Sequence, residues 1–400
     1  MIEGLILALY VAIAVGAFPP FSMNRATIAL GGAVILLALG VMPLQQAFAS
    51  IEAGTLTLLF AVMVFIGHLR MGGFFALIGG FLSRISRRPK LFLLLLLFCS
   101  ALLSALFIND TVVLMLTPLV IEITLAASLN PIPFLIALAV SANIGSMVTP
   151  VGNPQNILIA NSSGLGFADF LGQLWLPALA SLLLAFGLIW WVFRKSLRPQ
   201  PLAGVEIRPV RIYKPLLWKC LLAFVVIVAG LILGWGLTLS ALAGSAVLLF
   251  TRRLNPLKVF RAVDWNLLVF FAALFVITRA LESTYGFQSL LAWATPLMEK
   301  NLPLLAGLSA ALSNLISNVP AVMVLKSLIP AFPEPDKAWI ALAAATTLAG
   351  NLTLFGSVAN LIVAETAKQQ GITLKFGTYL KIGLPLALAS LVITTLWLIR

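Results

Sequence analysis

The polar residues best suited to ion chemistry lie between Ser141 and Asn156, inside an apolar part of the chain. This stretch contains two Gly, two Pro, three Asn, a Gln and a Thr. The prolines each remove a backbone donor, and the glycines favour turns. Unpaired backbone is tolerated at membrane depth only where it is buried in protein or lines a wet cavity. The stretch therefore predicts a broken helix whose free carbonyl and amide groups bind a ligand.

Asp110 is the single side chain most favoured for a functional role, because it interrupts a second apolar segment together with Asn109 and Thr111. A carboxylate near the bilayer midplane is costly and by default marks a functional site. It could serve as a cation ligand or as a proton carrier. The structural alternative is that Asp110 or Thr111 caps the helix that follows.

The composition indicates a polytopic helical membrane protein, since 62% of the 400 residues are hydrophobic and 9% are charged. The formal net charge of +13 comes from basic residues in short loops between apolar spans, which is the positive-inside pattern, so nucleic-acid binding is not expected. Two Cys provide no disulfide framework, and a single His excludes a His-rich metal site. Without a nucleophile–base pair, metal cluster or phosphate loop, we expect neither an enzyme nor a cofactor.

The apolar segments fall into two halves, residues 1–193 and 215–400, joined by a basic linker at 194–214 that is predicted to be cytoplasmic. The first half contains a helix pair at about 91–129 and the broken helix at about 134–160. The second half contains a pair at about 302–332 and an interrupted helix at about 339–364. We predict an all-α fold of two inverted repeats, each with about five transmembrane helices, a re-entrant hairpin and a broken helix.

The polar positions of the two halves match each other. Ser104–Asn109 matches Ser313–Asn318, and Thr149–Asn156 matches Thr353–Asn360, at offsets of roughly 204 to 209 positions. Duplication with interrupted segments at matching places is typical of a secondary transporter whose site lies at the repeat interface. Chance similarity between apolar helices is the alternative, but it does not explain why polar positions match.

Length and charge indicate how the repeats lie in the membrane. Leu302–Ile316 would form a helix of roughly 22 Å, too short for a hydrocarbon core of about 30 Å, so its pair is predicted to be a hairpin with its tip near midplane. The first pair is ambiguous by length, and the repeat favours a hairpin there too. If Arg84–Lys90, 194–214 and Arg252–Arg261 are cytoplasmic, the N-terminus is outside and the repeats are inverted.

These tips and breaks would place helix termini near the bilayer centre. Helix amino ends carry partial positive charge and free amides, which suit anions. Freed carbonyls and the oxygens of Asn, Ser and Thr suit Na⁺. Pro320, just after Asn318, suits the first turn of a helix. For Lys326, in the second hairpin, snorkelling is favoured over substrate binding.

At these residues the sequence resembles the ion transporter superfamily. This group includes divalent anion/sodium symporters, arsenite efflux permeases and NhaD-type sodium/proton antiporters. The resemblance covers essentially the whole chain, and its most specific motif is Thr149–Asn156 after Ser141-Ala-Asn143. It implies a transporter in a lipid bilayer, which we expect to be a bacterial-type plasma (inner) membrane, and a homodimer.

The resemblance also implies site residues. Substrate or ion contacts at the two tips would be Asn109, Thr111, Ser317 and Asn318, and Asp110 and Pro320 complete the predicted substrate-binding set. A first cation site, expected to hold Na⁺, would comprise Ser141, Asn143, Thr149, Gly152, Asn153 and Asn156. Its counterpart would comprise Thr353, Gly356, Ser357 and Asn360.

The tips depart from the symporter pattern. The first tip reads Asn-Asp-Thr, and the second lacks the Thr. The carboxylate of Asp110 would repel a dicarboxylate unless a cation neutralises it. Ala-Asn-Asp at this position is closer to the arsenite permeases, although Ile108 replaces the Ala. The resemblance therefore implies fold and transport mode, but not the substrate.

We predict a secondary active transporter that moves a small inorganic or carboxylate anion by alternating access, coupled to Na⁺ or H⁺. One alternative is an arsenite or antimonite efflux permease. Another is Na⁺/H⁺ antiport, for which more than one midplane carboxylate is expected, and only Asp110 qualifies clearly. A channel or a non-transporting membrane protein is an alternative of a different class, but a pore has no need of inverted repeats with broken helices.

Overall fold

The structure is a computed structural model that describes residues 2–15, 23–197, 212–250, 255–298 and 301–400. Within these ranges the regular structure is entirely helical. Most of the predicted linker, residues 198–211, lies outside the described residues, as do residues 251–254 of the second basic loop.

Ten helices are described in the first half of the chain. They are α1 (Ile2–Val15), α2 (Arg25–Ala38), α3 (Leu44–Ser50), α4 (Ala53–Met71), α5 (Phe74–Ile85), α6 (Pro89–Leu106), α7 (Asn109–Ala126), α8 (Pro131–Ser146), α9 (Pro154–Ser163) and α10 (Phe167–Phe193). The broken helix is thus the pair α8 and α9, which are separated by residues 147–153.

Ten further helices are described in the second half. They are α11 (Lys214–Ile232), α12 (Leu237–Leu249), α13 (Pro256–Arg261), α14 (Trp265–Glu282), α15 (Tyr285–Met298), α16 (Leu302–Ile316), α17 (Asn318–Leu325), α18 (Pro335–Ala349), α19 (Val358–Gln369) and α20 (Phe376–Ile399). A 3₁₀ helix, Lys326–Ala331, extends α17. Counted in chain order among the described residues, α1 to α10 and α11 to α20 are two series of equal number. Their opposite orientation in the membrane stays a prediction.

Seven of the described helices are long and apolar enough to cross a membrane: α4, α6, α7, α10, α11, α14 and α20. The arms of the two predicted hairpins differ in length, and the re-entrant character of the first pair stays a prediction. α6 and α7 have 18 residues each, whereas α16 has 15 and α17 has 8. The second pair is therefore too short to cross and return, as its sequence length indicated.

Four short helices, α3, α5, α13 and α15, have no counterpart among the predicted spans. α5 follows α4 after a turn in which Gly73 has a φ of +82°, a conformation that glycine adopts without strain. α5 buries Phe75, Gly79 and Leu82 on one face and exposes Leu77 on another. A helix this short and amphipathic lacks the uninterrupted apolar length of a membrane span, so hydropathy alone does not predict it.

The helices pack in two groups. The break group consists of α6–α10 and α16–α20, in which α6 packs on α8, α16 on α18 and α10 on α20. The flanking group consists of α1, α2, α4, α11, α12 and α14, in which α11 packs on α12 and α2 on α14. α6 and α8 approach closely at Gly145. A Cβ at this position would overlap the backbone of Ala101, so the crossing requires glycine.

Candidate functional site

A cavity of about 450 Å³ lies where the break group meets the flanking group. The flanking group contributes α1, α2 and α14 to its walls, and the break group contributes α7, α9, α17 and α19. Its polar lining residues are Asn24, Arg25, Asn109, Asp110, Gln155, Asp264, Asn266, Ser317, Asn318 and Ser357. The two hairpin tips therefore face one shared space.

Capping or first-turn residues of six helices line this cavity, namely those of α2, α7, α9, α14, α17 and α19. Asn24 caps α2 by accepting a hydrogen bond from the backbone amide of Thr27 at 3.0 Å. Asp264 caps α14 by accepting one from Leu267 at 3.1 Å. Helix amino ends carry partial positive charge, so their convergence favours an anionic or oxygen-rich ligand.

Three charged side chains are found among the described lining residues: Arg25, Asp110 and Asp264. Both Arg25 and Asp264 interact electrostatically with the Asp110 carboxylate, with opposite signs. One guanidinium thus faces two carboxylates. The fixed charge of the side chains does not by itself attract a multivalent anion, so the helix ends and a co-bound proton or cation must contribute.

The structure brings four of the six predicted substrate-binding residues together in the cavity wall: Asn109, Asp110, Ser317 and Asn318. Thr111 and Pro320 lie in the first turns of α7 and α17, but neither lines the cavity. The backbone of Ser317 has a φ of +78°, which forms the sharp corner between α16 and α17.

A capping role for Asp110 or Thr111 is wrong, because α7 begins earlier, at Asn109, with Ile108 at the cap position. The backbone amide of Asn109 donates instead to the carbonyl of Gly152 at 2.9 Å. A tertiary contact with the first break therefore takes the place of a side-chain cap. The Asp110 carboxylate lies in the first turn and faces the cavity.

At the first break, two asparagines connect the ends of α8 and α9. Asn153 caps α9 by accepting from the backbone amide of Asn156 at 2.8 Å. The Nδ2 of Asn156 donates to the carbonyls of Ser146, Met147 and Thr149 at 3.1, 3.3 and 2.9 Å. The side-chain amide of Asn156 thus provides hydrogen bonds to backbone carbonyls that have no helical partner at the break.

The second break has the same arrangement. Asn360 Nδ2 donates to the carbonyls of Gly350 and Thr353 at 2.7 and 3.1 Å, and to the hydroxyl of Tyr379 at 2.8 Å. Ser357 caps α19 by accepting from the backbone amide of Ala359 at 3.2 Å. Predicted cation-site residues therefore lie at both breaks, and much of their hydrogen bonding is internal.

The two breaks contact each other reciprocally. Asn153 Nδ2 donates to Thr347 Oγ1 at 3.1 Å, and Ser357 Oγ donates to Asn143 Oδ1 at 3.1 Å. Asn153 and Ser357 occupy equivalent positions of the two repeats, as do Asn143 and Thr347. Contacts of residue i of one copy with residue j of the other, and the converse, are those that an approximate two-fold axis between the two predicted repeats would produce.

Asn143 is the centre of this buried network. It accepts from Asn109 Nδ2 at 3.1 Å and donates to Asn351 Oδ1 at 2.8 Å and to Asn360 Oδ1 at 3.2 Å. It therefore links the first tip directly to the second break. A side chain with this many buried partners positions the site even though it does not line the cavity.

Ser141 and Thr149 lie farther from the cavity than their place in the motif indicates. Ser141 Oγ bonds Ser100 Oγ, and Thr149 Oγ1 donates to the carbonyl of Ala105. Both contacts fix the first break and α8 against α6. Neither residue lines the cavity.

Gly152 and Gly356 lie where neighbouring atoms leave no room for a side chain. A Cβ at Gly152 would overlap the backbone of Ser146, and a Cβ at Gly356 would lie 2.8 Å from Asn314 Oδ1. Both glycines therefore allow the chain to fold back on the preceding helix end.

Sequence reasoning missed several residues of the site. Arg25, Asp264 and Asn266 line the cavity from the flanking group, and nothing in their local sequence marks them. Gln155 stands inside the motif, where the sequence pattern predicts no role for it. Thr347, Asn351 and Tyr379 belong to the network, and the repeat offset applied to Asn143 would have identified Thr347.

Comparison with known proteins gives the family. Residues 9–349 match the family CitMHS, described as citrate transporter. An uncharacterized transporter of Mycobacterium tuberculosis is 31% identical over 400 residues, which cover 94% of each chain. The inner membrane protein YbiR of Escherichia coli is 30% identical, over 83% of this chain and 84% of its own.

Two further proteins are similar to this chain. The silicon efflux transporter LSI3 of Oryza sativa subsp. japonica is 29% identical, over 94% of this chain and 92% of its own. The crystal structure of the Alcanivorax borkumensis YdaH transporter has the same fold, with a TM-score of 0.56 and 19% identity over 99% of this chain and 96% of that one. The chain is an integral membrane protein and belongs to the citrate transporter family.

Proposed function

We propose that the protein is a secondary active transporter that moves a small inorganic or carboxylate anion by alternating access, coupled to Na⁺ or H⁺. The observation that carries this proposal is the cavity between the two tips, where six helix amino ends converge. Amides at helix amino ends bind carboxylate and oxyanion groups without a dedicated cluster of basic side chains. The family match to a citrate transporter supports a carboxylate.

Access to the cavity supports the alternating-access part of the proposal. In the predicted orientation, Arg25 and Asp264 lie at the cytoplasmic ends of α2 and α14, so the cavity faces the cytoplasm. On the opposite side, Lys326 pairs with Glu52 and joins the break group to the flanking group. We infer that this conformation is open inward and closed outward, and that movement between the two groups exposes the tips to the other side.

A second candidate, efflux of arsenite or antimonite, is favoured by the charges in the cavity. Two carboxylates, Asp110 and Asp264, face one guanidinium, that of Arg25. The parent acid of arsenite is largely uncharged at neutral pH, so these carboxylates would not repel it and could accept hydrogen bonds from its hydroxyl groups. Two similar proteins support this class of solute: the silicon efflux transporter of Oryza sativa, and a putative transporter arsB of Dictyostelium discoideum that is 24% identical over 91% of this chain and 85% of its own.

The test is the melting temperature of the purified protein with citrate, succinate, sulfate, arsenite or silicate, because a ligand that binds the folded state stabilises it. Stabilisation by citrate, succinate or sulfate supports the anion transporter. Stabilisation by arsenite or silicate alone supports the second candidate. No stabilisation by any of them contradicts both assignments of the cavity. Uptake into proteoliposomes of the stabilising solute then establishes transport.

A further inference from the structure

Exposed basic side chains lie together where the turn before α6 approaches the end of α10. We call this group the basic corner, and its members are Arg84, Arg87, Arg88, Lys90, Arg194 and Lys195. Lys90 Nζ lies 4.9 Å from the centre of the Trp190 ring, so a cation–π contact joins the two segments. Arg194 follows Trp190 by four residues and therefore lies on the same face of α10, one turn closer to its carboxyl end.

The basic corner has no compensating negative charge. The sequence contains no Asp or Glu between Glu52 and Asp110 or between Asp169 and Glu206. The ion pairs found among the described residues all lie elsewhere. Like charges on two adjoining segments repel one another unless an anion lies between them, so the basic corner is suited to bind a negatively charged ligand.

The start of α6 adds to this preference for an anion. α6 begins at Pro89 without a side-chain cap, so the free amides of its first turn contribute further positive potential. A helix amino end favours negative charge, yet Arg88 and Lys90 stand at this one. An anion bound here would therefore interact favourably with both the side chains and the helix end.

The equivalent corner of the second predicted repeat lacks this charge. Residues 72–88, between α4 and α6, contain three basic residues and no acidic one. Residues 283–301, between α14 and α16, contain one of each, Lys300 and Glu299. A turn at this place in the repeat can thus be built without excess positive charge, which is specific to the corner that is predicted to face the cytoplasm.

An apolar surface begins directly beside the basic corner. Leu183, Gly187 and Trp190 follow one another at helical spacing on α10, and the side chains of Leu183 and Trp190 are exposed. A Cβ at Gly187 would meet nothing within 4 Å, so the surface has a gap between these two side chains. On α6, Leu91 is exposed next to Lys90. Both helices are long and apolar enough to span a membrane, so this surface faces acyl chains.

We propose that the basic corner binds an anionic phospholipid of the cytoplasmic leaflet, with its phosphate between Lys90 and Arg194 and an acyl chain along Leu183 and Gly187. Anionic headgroups are attracted to basic residues beside membrane spans, and an exposed Trp is typical of the membrane interface. A nucleic acid or an acidic protein would use the cations but not the apolar surface. The site lies outside the transport cavity, and the inference does not depend on which solute is transported.

The first test uses the full-length protein in detergent and compares its melting temperature with dioleoylphosphatidylglycerol, dioleoylphosphatidylcholine or inorganic phosphate added. We expect the anionic lipid to raise the melting temperature by at least about 3 °C more than the zwitterionic lipid does. Equal effects of the two lipids would overturn the proposal. An equal rise with inorganic phosphate would also overturn it, because a free anion would then suffice.

The second test removes three charges from the basic corner, in Arg88→Gln with Lys90→Gln and Arg194→Gln. We expect the rise specific to phosphatidylglycerol to disappear. The matched control is Lys258→Gln with Arg261→Gln and Lys368→Gln, which removes the same charge from exposed residues elsewhere on the predicted cytoplasmic side and should keep the rise. A rise that persists in the first variant, or that is lost in both, would contradict a site at the basic corner.

A single substitution provides a further measurement if the triple variant does not fold. Trp190→Leu removes the ring that holds Lys90, so the rise with phosphatidylglycerol should fall to roughly half while the melting temperature in phosphatidylcholine stays the same. Trp397→Leu is its matched control, because it makes the same exchange at a ring 6.0 Å from the Arg400 guanidinium, in the second half. An undiminished rise in Trp190→Leu would overturn the proposed position of the headgroup.

Discussion

Lys326 Nζ lies 2.7 Å from Glu52 Oε1, although 274 residues separate the two in the chain. Lys326 begins the 3₁₀ helix after the second hairpin, and Glu52 precedes α4 of the flanking group. Both side chains are largely but not fully buried, with 22% and 28% of their surfaces exposed. The sequence predicted snorkelling for Lys326, whereas the structure shows an ion pair between the two helix groups.

We expect Glu52→Gln to favour the outward-open state while changing global stability by less than about 1 kcal/mol, because a partly exposed ion pair contributes little to folding. The measurement is labelling of Ser317→Cys by an impermeant maleimide added from outside, with Cys99 and Cys220 replaced by Ser. Labelling should increase severalfold in Glu52→Gln.

Glu334→Gln is the control for this experiment, since it removes an ion pair with Lys337 that lies within one turn of α18 and joins no separate helices. Its labelling should equal that of the parent. Unchanged labelling in Glu52→Gln would show that the pair with Lys326 does not hold the outer side closed. If the charge swap Glu52→Lys with Lys326→Glu restores the low labelling of the parent, the ion pair itself holds the outer side closed.

Asp110→Asn should abolish coupled transport and leave the fold intact. The change removes the ionisable group but keeps size and hydrogen-bonding capacity, and a midplane carboxylate without its charge cannot carry a proton. Uptake driven by a proton gradient should fall at least about tenfold, with a melting temperature close to that of the wild type. Asp169→Asn, at the exposed start of α10, is the matched control. Full activity in Asp110→Asn would remove this residue from the mechanism.

Asn143→Ala should destabilise the protein by about 3 kcal/mol, because it leaves the buried side chains of Asn109, Asn351 and Asn360 with unpaired groups. Thermal unfolding measures this loss. Asn255→Ala, at the exposed cap of the short helix α13, removes one local hydrogen bond and should cost about 1 kcal/mol. Equal losses in the two variants would mean that the network does not hold the breaks together.

Gly145→Ala tests the close crossing of α6 and α8. The added methyl group would overlap the backbone of Ala101, which cannot move without displacing α6, so we expect a cost of about 3 kcal/mol or more. In Gly187→Ala, within α10, the new methyl group meets open space, and stability should not fall. Measured melting temperatures that are alike for both variants would contradict this packing.

The sequence predicted those parts of the site in which polar residues interrupt apolar segments. Asn109, Asp110, Ser317 and Asn318 could be found because each stands where a membrane helix has no use for it, and all four line the cavity. The local pattern also predicted a broken helix, which the structure divides into α8 and α9.

The sequence does not predict which helices, distant in the chain, pack against each other. Arg25 and Asp264 look like ordinary loop-end charges, and only the packing of α2 on α14 brings both to the cavity. Likewise, the amide of Asn156 could not be assigned to the break carbonyls, because the path of residues 147–153 decides which oxygens it reaches. Composition indicates that a helix break leaves backbone groups without helical hydrogen bonds, but it does not show which side chains bond to them.

The central claim is that the transported anion binds in the cavity between the two tips, and equilibrium binding to Arg25→Gln tests it most directly. For the anion that stabilises the wild type, the account predicts that affinity falls at least about tenfold in Arg25→Gln. It predicts no change in Arg279→Gln, which makes the same chemical exchange at a residue outside this cavity. Wild-type affinity in Arg25→Gln would contradict the account.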